Sequence, residues 1–149
     1  MLTFTMQPLV GIGPIKLGMT RSEVRDILAD LGQPKARLRP PNTDCYFRSA
    51  FQVSYDDDGR VEFIETAAST DFRVLFHGSS LHEMPAEDAV RLVSEFAEYD
   101  KDRPEQGYSY IFPALQLSLW RPVLPSDRDD IEGRHFEAIG VGKEGYFSS

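Results

Sequence analysis

The segment Gly11–Pro34, GIGPIKLGMTRSEVRDILADLGQP, constrains the fold more than any other stretch, because it specifies both ends of a helix. Thr20 and Glu23 have the spacing of a capping box, in which each side chain accepts a hydrogen bond from the other residue's backbone N–H. Gly32 suits the left-handed position that ends a helix, and Pro34 prevents continuation. Between them runs an apolar face with helical spacing: Val24, Ile27, Leu28 and Leu31.

The run Leu17-Gly18-Met19-Thr20, followed by Glu23-Val24, resembles the entry to the first helix in small bacterial domains of the SmpA/OmlA type. It is also similar to the repeat of the β-lactamase inhibitor protein. In both groups a helical segment packs on an antiparallel sheet, so the resemblance implies that arrangement here. It covers only the cap and the residues before it, and it implies no binding or catalytic residue.

The rest of the chain shows mainly the period-two alternation of half-buried strands. Phe51–Tyr55 and Arg60–Glu65 alternate in this way, and Asp58-Gly59 between them supplies the positive φ of a tight hairpin turn. A second helix is predicted at Pro85–Tyr99, and the proline-rich segment Pro34–Thr43 is predicted as a loop. Five more segments are predicted as strands: Leu2–Val10, Asp71–Gly78, Tyr108–Phe112, Leu115–Trp120 and His135–Val141.

These elements predict an α+β fold in which two main helices pack on one face of an antiparallel sheet. Gly18–Glu65 and Ser80–Val141 repeat the order of one helix and three strands, which suggests an internal pseudo-duplication. A chain of 149 residues has the length of a single domain, 1–149, with one sizeable core.

Composition and targeting features predict a bacterial cytoplasmic protein without membrane attachment. Hydrophobic residues make up 41 % of the chain and charged residues 27 %, which is typical of soluble globular proteins. No apolar run is long enough to cross a bilayer, and the N-terminus lacks the basic and apolar regions of a signal peptide. The single cysteine, Cys45, cannot form an internal disulfide and is predicted to be a small buried hydrophobic residue.

The net charge of −8 is concentrated in the second half of the chain, because residues 1–70 carry −1 and residues 71–149 carry −7. A protein that binds duplex nucleic acid needs a basic surface, and none is visible in the sequence. Acidic surface keeps a protein soluble, and it also favours encounter with a basic protein partner.

Two motifs suggest ligands, and local context argues against both. Five residues match the ligand offsets of a calcium loop: Ser54, Asp56, Asp58, Gly59 and Glu65. Their flanks alternate as strands rather than helices, so a plain hairpin is predicted. Gly140–Gly145 matches G-x-G-x-x-G, but the four residues after it cannot form the helix that a dinucleotide site requires, so a turn is predicted. Neither a metal nor a cofactor is expected.

His77, Ser79 and Glu83 lie near the end of the predicted strand Asp71–Gly78, and a nucleophile and its base can be imagined among them. No nucleophile-elbow motif surrounds the serine, so no catalytic residue is assigned. A small hydrolase with a site at these three residues is one alternative function, and a small-molecule-binding domain is another.

The candidate contact surface combines an aromatic hairpin with the acidic loop that follows it. Strand alternation predicts that Trp120 projects away from Leu119. Aromatic side chains that face solvent would supply buried contact area, and carboxylates would steer a basic partner, whereas an aromatic row that faces the core needs no function. The predicted binding residues are Tyr108, Tyr110, Trp120, Asp127, Asp129, Asp130 and Glu132. The sequence thus favours a non-enzymatic protein-binding domain, of which immunity-type and inhibitor-like bacterial proteins are examples.

Overall fold

The computed structural model describes residues 1–33, 37–39, 41–103, 105 and 107–147. Two helices lie within them, α1 (Arg21–Asp30) and α2 (Ala86–Ser94). The strands, in chain order, are β1 (Leu2–Gln7), β2 (Gly11–Ile12), β3 (Ile15–Lys16), β4 (Arg37–Arg39), β5 (Thr43–Tyr46), β6 (Phe51–Tyr55), β7 (Val61–Ala67), β8 (Phe72–Phe76), β9 (Ser79–Ser80), β10 (Ser109–Phe112), β11 (Leu117–Trp120) and β12 (Ala138–Gly142). The fold is therefore mostly sheet, with two helices.

The strands form two sheets, so the prediction of one antiparallel sheet is wrong. The larger sheet is antiparallel throughout and has the order β10-β11-β12-β7-β6-β5-β4. The smaller sheet has the order β3-β2-β1-β8-β9, and it is mixed because β1 and β8 run parallel. Sequence alternation marks strands but not their partners, and β1 pairs with a strand more than sixty residues further along the chain. The pseudo-duplication stays a prediction.

The capped helix is confirmed. Thr20 is the N-cap of α1, and both hydrogen bonds of the capping box with Glu23 are present, at 3.0 and 3.2 Å. Val24 and Leu28 of the predicted apolar face are fully buried. Gly32 has a φ of +87°, as a C-terminal cap requires, while Pro34 lies outside the described residues.

Several predicted element boundaries are wrong; β1, for example, ends at Gln7 rather than Val10. Arg37–Arg39 in the predicted loop form strand β4, which pairs with β5. Helix α2 ends at Ser94 rather than Tyr99, because the next two N–H groups bond to carbonyls three residues back. His135 precedes β12 rather than belonging to it. The structure of such short or terminal segments depends more on tertiary pairing than on the local sequence pattern.

The core is one cluster to which both sheets contribute. Phe4 and Phe72 come from the smaller sheet, Phe51 comes from β6 of the larger one, and Phe47 precedes β6. Their ring centroids are 5.2–6.3 Å apart, mostly in edge-to-face arrangements. The buried residues of both helices belong to the same cluster. This core fixes the larger sheet, on whose β10 edge the predicted contact residues lie.

Candidate functional site

The predicted aromatic hairpin is formed by β10 and β11, and its two faces differ. The antiparallel register places Ser109 opposite Trp120 and Tyr110 opposite Leu119. Opposed residues project to the same face of a sheet, and successive residues in a strand project to opposite faces. Trp120 therefore projects away from the buried Leu119, as predicted, and is 43 % exposed.

Tyr110 lies on the inner face of the hairpin, with Leu119. Its half-buried ring packs edge to face against the rings of Tyr99, at 5.0 Å, and Phe136, at 5.8 Å. Tyr108, just before β10, is exposed. The structure thus places two of the three predicted aromatic residues at the surface and separates Tyr110 from Trp120.

Exposed apolar side chains are concentrated in this region. Of the ten large hydrophobic side chains exposed in the described part of the chain, five lie in the hairpin or the loop after it. We call them the exposed apolar set: Tyr108, Trp120, Val123, Leu124 and Ile131. The sequence prediction contained only two of them, because isolated aliphatic residues in a polar loop give no periodic signal.

Arg121 organises the loop that carries three members of this set, and sequence reasoning missed it. Its Nε atom donates to the carbonyl oxygen of Gly107 and its Nη1 atom to that of Gly133, both at 2.7 Å. The guanidinium also lies over the ring of Phe136, 5.5 Å from its centroid, and the residue is only 8 % exposed. One buried side chain therefore joins the start of the hairpin to the far end of the acidic loop.

The carboxylates of the acidic loop divide into two groups. Asp130 accepts hydrogen bonds from the backbone and hydroxyl of Ser126 and from the backbone of Glu132, and these bonds lower its pKa. Asp127 accepts from the backbone N–H of Asp129 at 2.9 Å. Asp129 and Glu132 are exposed. Asp127 and Asp130 therefore shape the loop, while the side chains of Asp129 and Glu132 face solvent.

A cavity of about 310 Å³ lies between this loop and the start of α2. Pro85, just before the helix, and Glu87 line this side, and the first backbone N–H of α2 donates to the carbonyl of Arg134 at 2.7 Å. The remaining lining residues are Arg121, Pro125, Asp127, Arg128, Asp130 and Arg134. The cavity thus adjoins the predicted contact surface, and its walls carry both signs of charge.

A second charged cluster joins α1 to the larger sheet. Asp44 on β5 has no exposed side-chain surface, and it binds Arg21 at 2.8 Å and Arg25 at 3.3 Å. Burial acts to raise the pKa of Asp44, but the hydrogen bonds from the two arginines outweigh it, so the pKa is lowered. The sequence shows two arginines one helical turn apart, but nothing in it marks Asp44 as their partner.

Tyr46 and Tyr55 are buried beside this cluster, and their hydroxyls form no hydrogen bond to the described residues. Burial and the negative charge of Asp44 raise the pKa of Tyr46 to about 12 and raise that of Tyr55 as well. Arg21 lies over the ring of Tyr55, 4.7 Å from its centroid. Both tyrosines therefore remain neutral and pack against the charged groups that fix α1.

The residues of the hydrolase alternative have other partners. His77 and Gly78 have φ values of +48° and +82° between paired Phe76 and Ser79, which is the pattern of a type I′ hairpin turn. The ring of His77 stacks on Phe96 at 3.9 Å. Glu83 binds Arg73 through two hydrogen bonds of 2.7 and 2.9 Å. Between the described residues, no hydrogen bond joins His77, Ser79 and Glu83 to one another.

The motif at Asp56 is a hairpin, as predicted. The Asp56 carboxylate accepts from the backbone of Asp58 and Arg60, each at 3.0 Å, and β6 and β7 pair on either side. Glu65, the last residue of the calcium pattern, lies within β7 opposite Gln52. In the described part of the chain, no group of three or more His, Cys, Asp or Glu residues is arranged to hold a metal ion.

The glycine motif is only partly a turn, which corrects the prediction. Gly140 and Gly142 lie in β12, where a Cβ would collide with the rings of Phe63 and Tyr146 respectively. These two rings stack at 4.6 Å. Gly145 has the positive φ of a turn residue. The first two glycines therefore allow aromatic rings to approach the sheet.

Cys45 is free and buried, as expected.

None of the helices among the described residues has the length and apolar character needed to span a bilayer. Comparison with protein-family models, with curated proteins and with solved structures gives no match.

Proposed function

We propose that this chain is a non-enzymatic protein-binding domain whose contact surface is the exposed apolar set with its acidic rim. The observation that carries the proposal is the concentration of exposed apolar side chains on the β10–β11 hairpin and the following loop. Exposed apolar side chains that cluster in one segment among charged residues are typical of interaction sites on soluble proteins. Tyr and Trp are also the residues most enriched among those that dominate binding energy.

The structure of the loop supports this proposal. Arg121 holds the loop through two short hydrogen bonds, and Asp130 holds it through three more. A loop fixed in this way loses little conformational freedom on association, so more of the contact energy remains as affinity. A Cβ at Gly107 would lie 3.4 Å from Leu124, which places the loop directly against the start of the hairpin.

The charge pattern favours a basic partner. The second half of the chain carries most of the net charge of −8, and Asp129 and Glu132 are exposed in the loop that also carries Val123, Leu124 and Ile131. Carboxylates at the rim of an interface raise the rate of encounter with a basic surface more than they raise affinity. A stoichiometric partner of the immunity or inhibitor type in the bacterial cytoplasm has this chemistry. The resemblance to SmpA/OmlA domains and to the β-lactamase inhibitor protein belongs to the same proposal.

The test is capture of a partner from a lysate of the native host by immobilised wild-type protein and by variants. Trp120→Ala and Val123→Ala should each reduce the retained partner severalfold at unchanged melting temperature, because both side chains are partly exposed. Val10→Ala is the matched control, since Val10 is 45 % exposed and Val123 is 41 % exposed. Equal capture by all four proteins, or no capture by the wild type, would contradict the proposal.

A further inference from the structure

The cavity beside α2 contains three arginines and three carboxylates, and its arginines are not paired with its carboxylates. The charged lining residues are Glu87, Arg121, Asp127, Arg128, Asp130 and Arg134. In the described part of the chain, none of these arginines has a carboxylate oxygen within the 4.0 Å of an ion pair. The three positive and three negative charges therefore cancel in number without forming an ion pair, and the charge of Arg134 makes only a smaller contribution, after the hydrogen bonds from Ser126 and Glu132, to the lowered pKa of Asp130.

Arg121 is the most informative member, because it is 92 % buried and still charged. Its described hydrogen bonds go to two backbone carbonyls, which satisfy donors but do not neutralise the charge. A buried guanidinium without an anionic partner is costly, and a carboxylate is the partner whose geometry fits its donor fork. Arg134 repeats the pattern, since its Nη2 atom donates to the carbonyls of Arg128 and Asp130.

The carboxylates are held in place by the loop. Asp130 takes three hydrogen bonds from Ser126 and Glu132, and Asp127 takes one from Asp129. These bonds fix both side chains in the loop, and those to Asp130 lower its pKa. An anionic ligand alone would meet three carboxylates, and a cationic ligand alone would meet three arginines. A ligand with both charges can place each beside its opposite.

We propose that this cavity binds a small zwitterion with a carboxylate and an ammonium group, of the class of free α-amino acids. The carboxylate would pair with Arg121 and Arg134, and the ammonium group with Asp127 and Glu87. The volume of about 310 Å³ is at the lower end of the range for small-molecule sites, which suits a ligand of this size. The proposal concerns the cavity and does not depend on a protein partner at the exposed apolar set.

Trp120 provides the measurement, because it is the only tryptophan and is adjacent in sequence to Arg121. Purified wild-type protein would be titrated with each α-amino acid, with acetate and with methylammonium, while tryptophan fluorescence is followed and calorimetry confirms the binding. At least one amino acid should give a saturable change, and acetate and methylammonium should bind at least about tenfold more weakly, because each satisfies only one charge.

Substitutions of the lining arginines test whether the amino acid binds in this cavity. Arg121→Lys and Arg134→Gln should each weaken binding of that amino acid at least about tenfold, because each removes part of the guanidinium recognition. Arg91→Gln is the control, since Arg91 is an exposed α2 residue paired with Asp88. Arg134→Gln is the second variant, because the Arg134 side chain donates to the carbonyls of Arg128 and Asp130. The melting temperature of each variant shows whether the loop is intact, and an affinity loss at unchanged melting temperature decides the question.

Three results would overturn the proposal. The first is the absence of saturable binding by any amino acid up to about 10 mM, well above the Kd of a weak specific ligand. The second is equal binding of acetate and the best amino acid, which would show that the ammonium group is not recognised. The third is wild-type affinity in Arg134→Gln, which would place the ligand elsewhere.

Discussion

Arg21, the first residue of α1, donates two hydrogen bonds of 2.8 and 3.1 Å to the buried carboxylate of Asp44 on β5. Arg25, one turn later, contacts the same carboxylate at 3.3 Å. Asp44 therefore fixes the N-terminal half of α1 to the larger sheet, in addition to the apolar contacts of Val24 and Leu28. Two consequences for stability follow, one for substitution and one for pH.

We expect Asp44→Ala to lower the free energy of unfolding by about 3 kcal/mol. This value is at the low end of the range for breaking a buried ion pair, because both arginines keep some access to water. The folded-state pKa of Asp44 lies below its ordinary value of 3.8. Its stabilisation is thus present above pH 3.8 and is lost as the pH falls through the folded-state pKa.

Chemical denaturation at roughly pH 2–7, a range that brackets the titration of a carboxylate, would test this expectation. The difference between wild type and Asp44→Asn should shrink below the ordinary carboxylate pKa. Asp26→Ala, at an exposed position on α1, should change stability by less than about 0.5 kcal/mol. A difference between wild type and Asp44→Asn that stays constant to the lowest pH would contradict the assignment.

The capping box and the buried face of α1 should contribute unequally to the free energy of unfolding. Thr20→Ala removes one hydrogen bond of the cap and should cost about 1 kcal/mol. Leu28→Ala leaves a cavity in a fully buried position and should cost about 2–5 kcal/mol. Urea denaturation gives both values, with Leu38→Ala at an exposed site as the control. A larger cost for Thr20→Ala than for Leu28→Ala would refute this order.

His82 should make the protein less stable in mild acid. Burial lowers its pKa below the ordinary 6.5, although hydrogen bonds with the carbonyl of Phe136, at 3.1 Å, and with Thr66, at 3.2 Å, act the other way. The unfolded chain therefore takes up a proton first, so stability declines as the pH falls below 6.5 and levels off below the folded-state pKa.

This effect is measured as the free energy of unfolding at roughly pH 4–7, a range that spans the titration of a histidine. His82→Gln should remove most of the slope near pH 6. His77→Asn should retain it, because His77 is an exposed turn residue. An unchanged slope in His82→Gln would assign the effect to another group.

Local signals in the sequence were sufficient to predict α1 and the hairpin at Asp56, because their hydrogen bonds join residues within four positions. The two-sheet arrangement was not predictable in this way. It depends on the parallel pairing of β1 with β8 and on an aromatic core whose rings come from β1, from β8 and from the segment Phe47–Phe51. Alternation gives the period of a strand and carries no information about which strand lies beside it.

The candidate site shows the same limit. Trp120 was predicted to project away from Leu119, and it does, because strand alternation decides that alone. Tyr110 was grouped with Trp120, but the register of the hairpin places them on opposite faces. Arg121 was missed because its hydrogen-bond partners are fourteen and twelve residues away in the chain. A charged residue at the end of a strand gives no sequence signal of burial.

The acidic rim should act on the rate of association with a protein partner, and the structure indicates which carboxylates to change. Asp130 supports the loop through three hydrogen bonds, so its removal would mix a structural effect with an electrostatic one. Asp129 and Glu132 are exposed, and neutralising both as Asp129→Asn and Glu132→Gln should leave the loop intact.

With a captured partner in hand, surface plasmon resonance should show that this double variant associates severalfold more slowly at low salt, with a nearly unchanged dissociation rate. The difference should disappear near 1 M salt, where the screening length falls to about 3 Å. The pair Glu95→Gln and Glu98→Gln removes the same charge from exposed positions after α2 and should have a smaller effect. If both double variants slow association equally, net charge alone steers the partner and the acidic rim has no special role.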